Sequence, residues 1–345
     1  MQRLFQILPI LLLFCLVGRT VQADSIDRYI ETQLKKRHIP GLSLAVVRDG
    51  KVIKAKGYGF ANLELRAHAT PATVYQVGSV SKQFAASAIM LLVQEGKVGL
   101  DDKLSKYLPS APDSWKEITL RHLLTHTSGL PREGQRPTKG ERADYTDAEL
   151  VQSASALLLL SPPGEKYSYS NVGFNLLGMV VAKASGQNYA DFLQKRFFKP
   201  LGMTATRVND PIAFLPNRAS AYQWAGGAFY GSDFVSPTWY AGAGAIVSTV
   251  LDLAKWDAAL NTEFPLTEAS RKQMWTPMTL KNGKPSDYGF GWRLSPYKGH
   301  ADIHHDGIVN GFHSEIDRFV DDHLTVIVLV NLIGLSNPER IAHTV

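Results

Sequence analysis

Ser79 and Lys82 stand three residues apart in Ser-Val-Ser-Lys, Tyr169 and Asn171 two apart in Tyr-Ser-Asn, and His305 and Gly307 two apart in His-Asp-Gly. A serine hydroxyl is a weak nucleophile near neutral pH unless a basic group within hydrogen-bond reach takes its proton during attack. On a helix, residues three apart share a face with Cβ atoms about 5–6 Å apart, so Lys82 reaches Ser79. That pairing points to covalent serine catalysis. A free tyrosine has a pKa of about 10, which leaves roughly one phenolate in a thousand at pH 7. Lys82, or a protonated His305, would favour the anion of Tyr169, each unit of lowering being worth about 1.36 kcal/mol. Lys82 offers a second route, as a neutral amine depressed by burial. Both bases stay open at this level.

The elements that must gather these residues are legible in the patterning. An amphipathic helix is expected around Ile26 to Lys36, then a strand on Leu42, Leu44 and Val46, an Asp49-Gly50 turn, and a second strand from Val52 to Tyr58. Beyond Ser79, the apolar residues Phe84, Ala88, Leu91 and Leu92 follow helical spacing up to Gly96, so the serine opens a buried helix. The middle is helix-rich, with runs at Leu120 to Leu124, Asn171 to Ala184 and Tyr189 to Phe198. Strand patterns return at Tyr288 to Leu294, Gly311 to Phe319 and Leu324 to Leu332. Matching strand segments at both ends predict an α+β fold: one antiparallel sheet built from both chain ends and flanked by helices, plus a helical insert. The predicted organisation is residues 24–118 with 241–345 as an α/β lobe and 119–240 as a helical lobe, with the cleft between sheet and insert.

The chain has 345 residues, 45% hydrophobic and 20% charged, which suits an ordinary globular enzyme-sized protein. Residues 1–23 read as an export signal: Arg3 near the start, an apolar run from Leu4 to Gly18, and Val21-Gln22-Ala23 ahead of a mature start at Asp24. The run is shorter than the roughly 20 residues of a spanning helix, so no stable membrane span is expected and the protein is expected to be secreted or periplasmic. Cys15, the only cysteine, lies in that segment, so the mature chain carries no disulfide. The formal charge is +6, and losing Arg3 and Arg19 lowers it to +4. The basic residues of the loop with Arg132, Arg136, Lys139 and Arg142 alternate with Glu133, Glu141 and Asp144, which reads as a solvated loop and not a nucleic-acid site. No G-x-S-x-G elbow or H-E-x-x-H motif is present. His122 and His126 have i, i+4 spacing without a carboxylate or cysteine in the pattern, so they read as structural, and no metal or other cofactor is implied. Nothing in the sequence encodes an oligomeric state.

Val77-Gly78-Ser79-Val80-Ser81-Lys82-Gln83, the segment Leu120 to Leu130, Tyr169-Ser170-Asn171-Val172-Gly173 leading into Leu176-Leu177-Gly178, and His305-Asp306-Gly307 occur in that order. Together they resemble the serine β-lactamase and penicillin-binding protein superfamily, in its class C-like branch of β-lactamases, D-amino-acid peptidases, amidases and esterases. The resemblance covers nearly all of the mature chain and implies a β-lactamase/transpeptidase-like fold. It implies Ser79 as nucleophile, Lys82 and Tyr169 sharing the proton handling with Tyr169 ranked ahead of Lys82 as the base, and Asn171 holding the lysine and the substrate amide. It also implies an oxyanion site made by the N–H groups of Ser79 and Ile308, with Gly307 letting substrate approach the strand edge. His304, His313 and Tyr167 fall outside the motifs and are set aside.

Where the family usually has Lys-Thr-Gly, this chain has His305-Asp306-Gly307. A histidine with a pKa of about 6.5 is mostly neutral at pH 7, and Asp306 adds negative charge where a substrate carboxylate would be held. Small esters or amides therefore rank first as substrates of an exported serine hydrolase working through an acyl-enzyme on Ser79. The alternatives are a β-lactamase or D-alanyl-D-alanine carboxypeptidase acting on cell-wall peptide, and a penicillin- or peptidoglycan-binding sensor without turnover. Tyr222, Trp224, Phe229, Tyr230, Phe234, Trp239 and Tyr240 crowd one stretch, with packing of the lobe junction ranked above an acyl pocket.

Overall fold

Two strands near the start of the chain and four near its end share one sheet, joined at its outer edge by a short seventh. In a computed structural model the chain is described over residues 24–135 and 139–345. The export-signal expectation for residues 1–23 lies outside the described residues, as does Arg136. No helix among the described residues is long and apolar enough to cross a membrane.

In spatial order the sheet runs Ala67–His68, Lys51–Asn62, Gly41–Arg48, Leu324–Val330, Phe312–Phe319, Asp302–Val309 and Arg293–Leu294. Every pairing is antiparallel. The α+β architecture expected from sequence is therefore what the chain adopts. The closing contact is Gly41–Arg48 against Leu324–Val330, with Leu44 opposite Val328 and Val46 opposite Val326. Alternation along these strands sends Leu42, Leu44, Val46, Val326, Val328 and Val330 to one face, where Ile30 and Ile341 of the two terminal helices, Ser25–Lys36 and Pro338–Ala342, cover them. Ala45, Val47, Ile316, Ile327 and Leu329 point the other way, into the main core with Val80, Phe84 and Trp256.

Two strand expectations are corrected. Tyr288 to Leu294 pairs in the sheet only at Arg293–Leu294. Gly291, at φ +75°, packs so tightly on the helix that begins at Lys82 that a Cβ would fall 2.7 Å from the Lys82 carbonyl oxygen, which turns the chain out of strand geometry. Conversely, Asp302–Val309 forms an eight-residue strand between Arg293–Leu294 and Phe312–Phe319. The inner face is locked to the helix Val250–Ala259 by a buried ion pair, Arg318 Nε to Asp257 Oδ1 at 2.6 Å, both side chains 3% exposed.

Candidate active site

Ser79 lies in the 3₁₀ turn Gly78–Ser81, and Lys82 opens the helix Lys82–Gln94 directly behind it. The serine thus precedes the α-helix it was expected to open. In a 3₁₀ turn side chains at i and i+3 eclipse, and Lys82 Nζ ends 3.0 Å from Ser79 Oγ. Ser170 caps the helix Asn171–Ser185, its hydroxyl accepting from the Gly173 N–H at 3.1 Å. The cap directs the flanking residues: Tyr169 Oη donates to Ser79 Oγ at 2.7 Å, and Asn171 Oδ1 accepts from Lys82 Nζ at 2.7 Å. Asn171 Nδ2 donates to Glu133 Oε1 at 2.5 Å, which sets the amide orientation, because a carboxylate only accepts.

A third acceptor for Lys82 comes from the main chain, the Ala243 carbonyl oxygen at 2.8 Å. The turn Ala241–Gly244 approaches this closely because Gly242 has no side chain; a Cβ there would fall 2.1 Å from the Phe174 carbonyl oxygen. His126, buried and at φ 56°, accepts the Ser170 N–H on Nδ1 at 3.1 Å and lies against Tyr169 with ring centroids 4.2 Å apart. His122 uses Nδ1 to accept the Thr119 N–H at 3.2 Å in a helix capping box. The two histidines therefore serve different local structures.

The structure brings Ser79, Lys82, Tyr169 and Asn171 into one hydrogen-bonded cluster, while His305 stands apart from it. His305 is fully buried; its Nδ1–H donates to the Asp306 carbonyl oxygen at 2.6 Å, which leaves Nε2 to accept from the Tyr288 hydroxyl at 2.8 Å. Burial holds its imidazole on the neutral side, against the opposing charge of Asp306. A protonated His305 favouring a Tyr169 phenolate is therefore corrected. Gly307 also has a different reason from the one expected: a Cβ there would meet the Val77 carbonyl oxygen at 2.0 Å and lie 3.0 Å from Ser79 N. A Cβ on Gly78, at φ +52°, would fall 2.7 Å from Ile308 N. The strand and the turn that carries Ser79 touch glycine to backbone, which sets the N–H groups of Ser79 and Ile308 at one seam.

Burial pulls the Lys82 ammonium well below the ordinary lysine range, while Glu133 and Asp306 pull the other way. Burial pushes the Tyr169 phenol up, opposed by its hydrogen bond to Ser79. Glu133 is likewise raised by burial, against the amide of Asn171. Two guanidiniums face the Tyr169 ring, Arg132 with Cζ 5.0 Å and Arg293 with Cζ 5.9 Å from its centroid. Asp306 is engaged by Arg293 Nε at 3.1 Å, so its charge is met before any substrate arrives.

Sequence reasoning missed Glu133, Tyr288, Ala243 and the two arginines. Glu133 and Arg132 stood in a loop that reads as solvated, and Ala243 acts through a main-chain oxygen, which has no side-chain signature. The aromatic stretch does not act as one wall. Phe234 and Tyr240 line a cavity of about 130 Å³ with Gln76, Gly244, Val309 and Asn310, whereas Trp224 stacks on His38 at 4.0 Å and Trp239 packs on Tyr145 at 5.5 Å.

The family model for beta-lactamase matches residues 26–343. The chain is 32% identical over 325 residues to penicillin-binding protein 4* of Bacillus subtilis, covering 87% of this chain and 70% of that protein. It is 29% identical over 334 residues to the protein flp of Staphylococcus aureus strain N315, covering 93% of this chain and 65% of that one. Among solved structures, an octameric penicillin-binding protein homologue from Pyrococcus abyssi superposes with a TM-score of 0.79 at 28% identity, over 92% of this chain and 75% of that chain. With its antiparallel sheet, its ordered motifs and a family match that spans nearly all described residues, the chain belongs to the beta-lactamase family, within the serine β-lactamase and penicillin-binding protein superfamily.

Proposed function

We propose that the protein is an exported serine hydrolase that is acylated on Ser79, with Lys82 as the base. The observation that carries this reading is that Ser79 Oγ lies within hydrogen-bond reach of both an amine and a phenol, at 3.0 and 2.7 Å. Lys82 has two obligate acceptors besides the serine, the Asn171 and Ala243 oxygens. A neutral amine gives its two N–H groups to those oxygens and turns its lone pair to the Ser79 hydroxyl. Tyr169, kept protonated by burial, then donates.

In the first step the Ser79 proton passes to Lys82 as Oγ bonds to the acyl carbon, and the N–H groups of Ser79 and Ile308 receive the oxyanion. Collapse expels the leaving group, which takes a proton from Tyr169, and Lys82 restores that proton. Water then repeats the sequence on the ester and frees Ser79. Ser79→Ala should abolish both turnover and labelling by a fluorophosphonate; labelling at full stoichiometry in that variant would falsify the proposal.

A neutral His305 where the family usually carries a lysine supports small esters or amides as substrates. A second reading, hydrolysis of a peptide or β-lactam bearing a carboxylate, is favoured by Arg132, whose side chain is 69% exposed beside Tyr169. The names of the Bacillus and Pyrococcus relatives lend it weight. Comparing turnover of p-nitrophenyl esters, a chromogenic cephalosporin and D-alanyl-D-alanine peptides separates the two, and a burst of acylation without release on every substrate would indicate a sensor. Export rests on the segment 1–23, and N-terminal sequencing of protein recovered outside the cytoplasm should begin at Asp24.

A further inference from the structure

On the sheet face opposite His305, the strand Asp302–Val309 alternates Asp302, His304 and Asp306, and its neighbour Phe312–Phe319 sets Asp317 directly across from His304 and Glu315 across from Asp306. Asp302, His304, Glu315 and Asp317 are buried, at 4, 8, 1 and 0% exposure. His343, just past the helix Pro338–Ala342, closes over them with its side chain 11% exposed. A buried patch of three carboxyls and two imidazoles would normally be threaded by hydrogen bonds. Here Asp302 Oδ1, His304 Nδ1, both Glu315 oxygens, both Asp317 oxygens and His343 Nε2 have no hydrogen-bond partner.

The spacings say what is suited to the gap. His304 Nδ1 lies 3.6 Å from Asp317 Oδ1 and 3.7 Å from Glu315 Oε1. His343 Nε2 lies 3.4 Å from Asp317 Oδ2 and 3.6 Å from Asp302 Oδ2. Those separations exceed the roughly 3.2 Å limit of an N–H···O hydrogen bond. They lie within about 0.3 Å of the distance between two ligands that each sit about 2.1 Å from one ion at a tetrahedral angle, about 3.4 Å. Donor atoms of Asp302, His304 and Asp317 all fall within 4.8 Å of one another, a grouping found among the described residues. His304 is also held as a ligand would be: Nε2 meets Ser295 Oγ at 3.0 Å, which leaves Nδ1 free to face the cluster. His343 is stacked on Tyr297 with centroids 3.8 Å apart, which fixes its ring.

We propose that Asp302, His304 and Asp317, with His343 closing over them, form a structural site for a divalent transition-metal cation. Two imidazole nitrogens disfavour calcium and magnesium, which take oxygen ligands, and suit zinc. The ion would fasten the last helix to the back of the strand that carries Gly307 and Ile308. It stands clear of Ser79, so it braces the strand and has no part in bond breaking. Sequence reading excluded His304 because it lacks the glycine partner of the catalytic motif, and Glu315 and Asp317 come from the neighbouring strand.

The test uses the full chain, treated with chelator and then titrated with Co2+ and with Zn2+. One equivalent of Co2+ should bring up visible d–d absorption, one equivalent of Zn2+ should abolish it, and Zn2+ should raise Tm by several degrees. Asp317→Asn and His343→Ala should each weaken Co2+ binding at least tenfold, the second being a mild change at a helix end. A folded wild-type chain that takes up neither ion, or binding that is undiminished in both variants, would overturn the site.

Discussion

Lys82 Nζ donates to the main-chain oxygen of Ala243 across 2.8 Å, a contact that no side-chain substitution at position 243 removes. Together with Asn171 it leaves one direction for the lysine lone pair, and that direction is Ser79. The groups facing Lys82 are Tyr169, Glu133, Asp306, Arg132, Arg293, His126 and His305, and burial outweighs the two carboxylates among them. The acylation rate should therefore rise with pH through a midpoint well below the ordinary lysine value of about 10.4 and then stay level. A rate still climbing beyond pH 10 would move the base to Tyr169, whose phenol is raised. The same depression has a stability sign. Between the lowered folded value and about 10.4 the unfolded chain binds more protons, so stability rises with pH across that window. Stopped-flow acylation and urea midpoints at several pH values check both statements.

Tyr169→Phe separates proton donation from proton abstraction. With Lys82 as base, the phenol matters for expelling a poor leaving group and little for an activated one. Loss of a positioned acid costs about 10²- to 10⁴-fold. Amide hydrolysis should fall by that range while p-nitrophenyl ester hydrolysis falls much less. Equal losses on both substrates would mean that Tyr169 acts on Ser79 itself.

Much of this arrangement was readable beforehand, for reasons that differ residue by residue. Leu42, Leu44 and Val46 alternate because one face of their strand meets the terminal helices, so apolar periodicity revealed the strand. Asp302–Val309 hid from the same reasoning because its outward residues are Asp302, His304 and Asp306, so neither face reads as an apolar stripe. Ser79, Lys82, Tyr169 and Asn171 were legible from local motifs whose convergence the 3₁₀ turn at Ser79 and the Ser170 helix cap then produced. Glu133 and Ala243 were not, since one depends on a loop folding back and the other on a backbone atom.

Gly307 should tolerate no side chain. A Cβ would stand 2.0 Å from the Val77 carbonyl oxygen and 2.4 Å from Ser314 Oγ, both of them held in place, since Ser314 Oγ donates to Val77 O at 2.7 Å. Gly307→Ala must push the strand off the nucleophile turn, at a cost of the order of 1–3 kcal/mol for overpacking. The displacement separates the N–H groups of Ser79 and Ile308, so kcat should fall by about 10²-fold or more even where the variant stays folded. A folded variant with wild-type kcat would show that these two N–H groups do not receive the oxyanion.

Arg132→Ala decides whether an anionic substrate is served. The guanidinium faces the Tyr169 ring, and among the described residues the carboxylate oxygen paired with it, Glu133 Oε1, is 4.0 Å away, so it remains available to a ligand. Arg293, by contrast, is committed to Asp306 at 3.1 Å. If a substrate carboxylate docks on Arg132, removing the charge should raise KM for a D-alanyl-D-alanine peptide by about tenfold, the loss expected for one charge-assisted hydrogen bond of about 1.5 kcal/mol. A neutral p-nitrophenyl ester should keep its KM within about twofold. An unchanged peptide KM removes the anionic reading, because among the described residues no other guanidinium facing Tyr169 is left uncommitted.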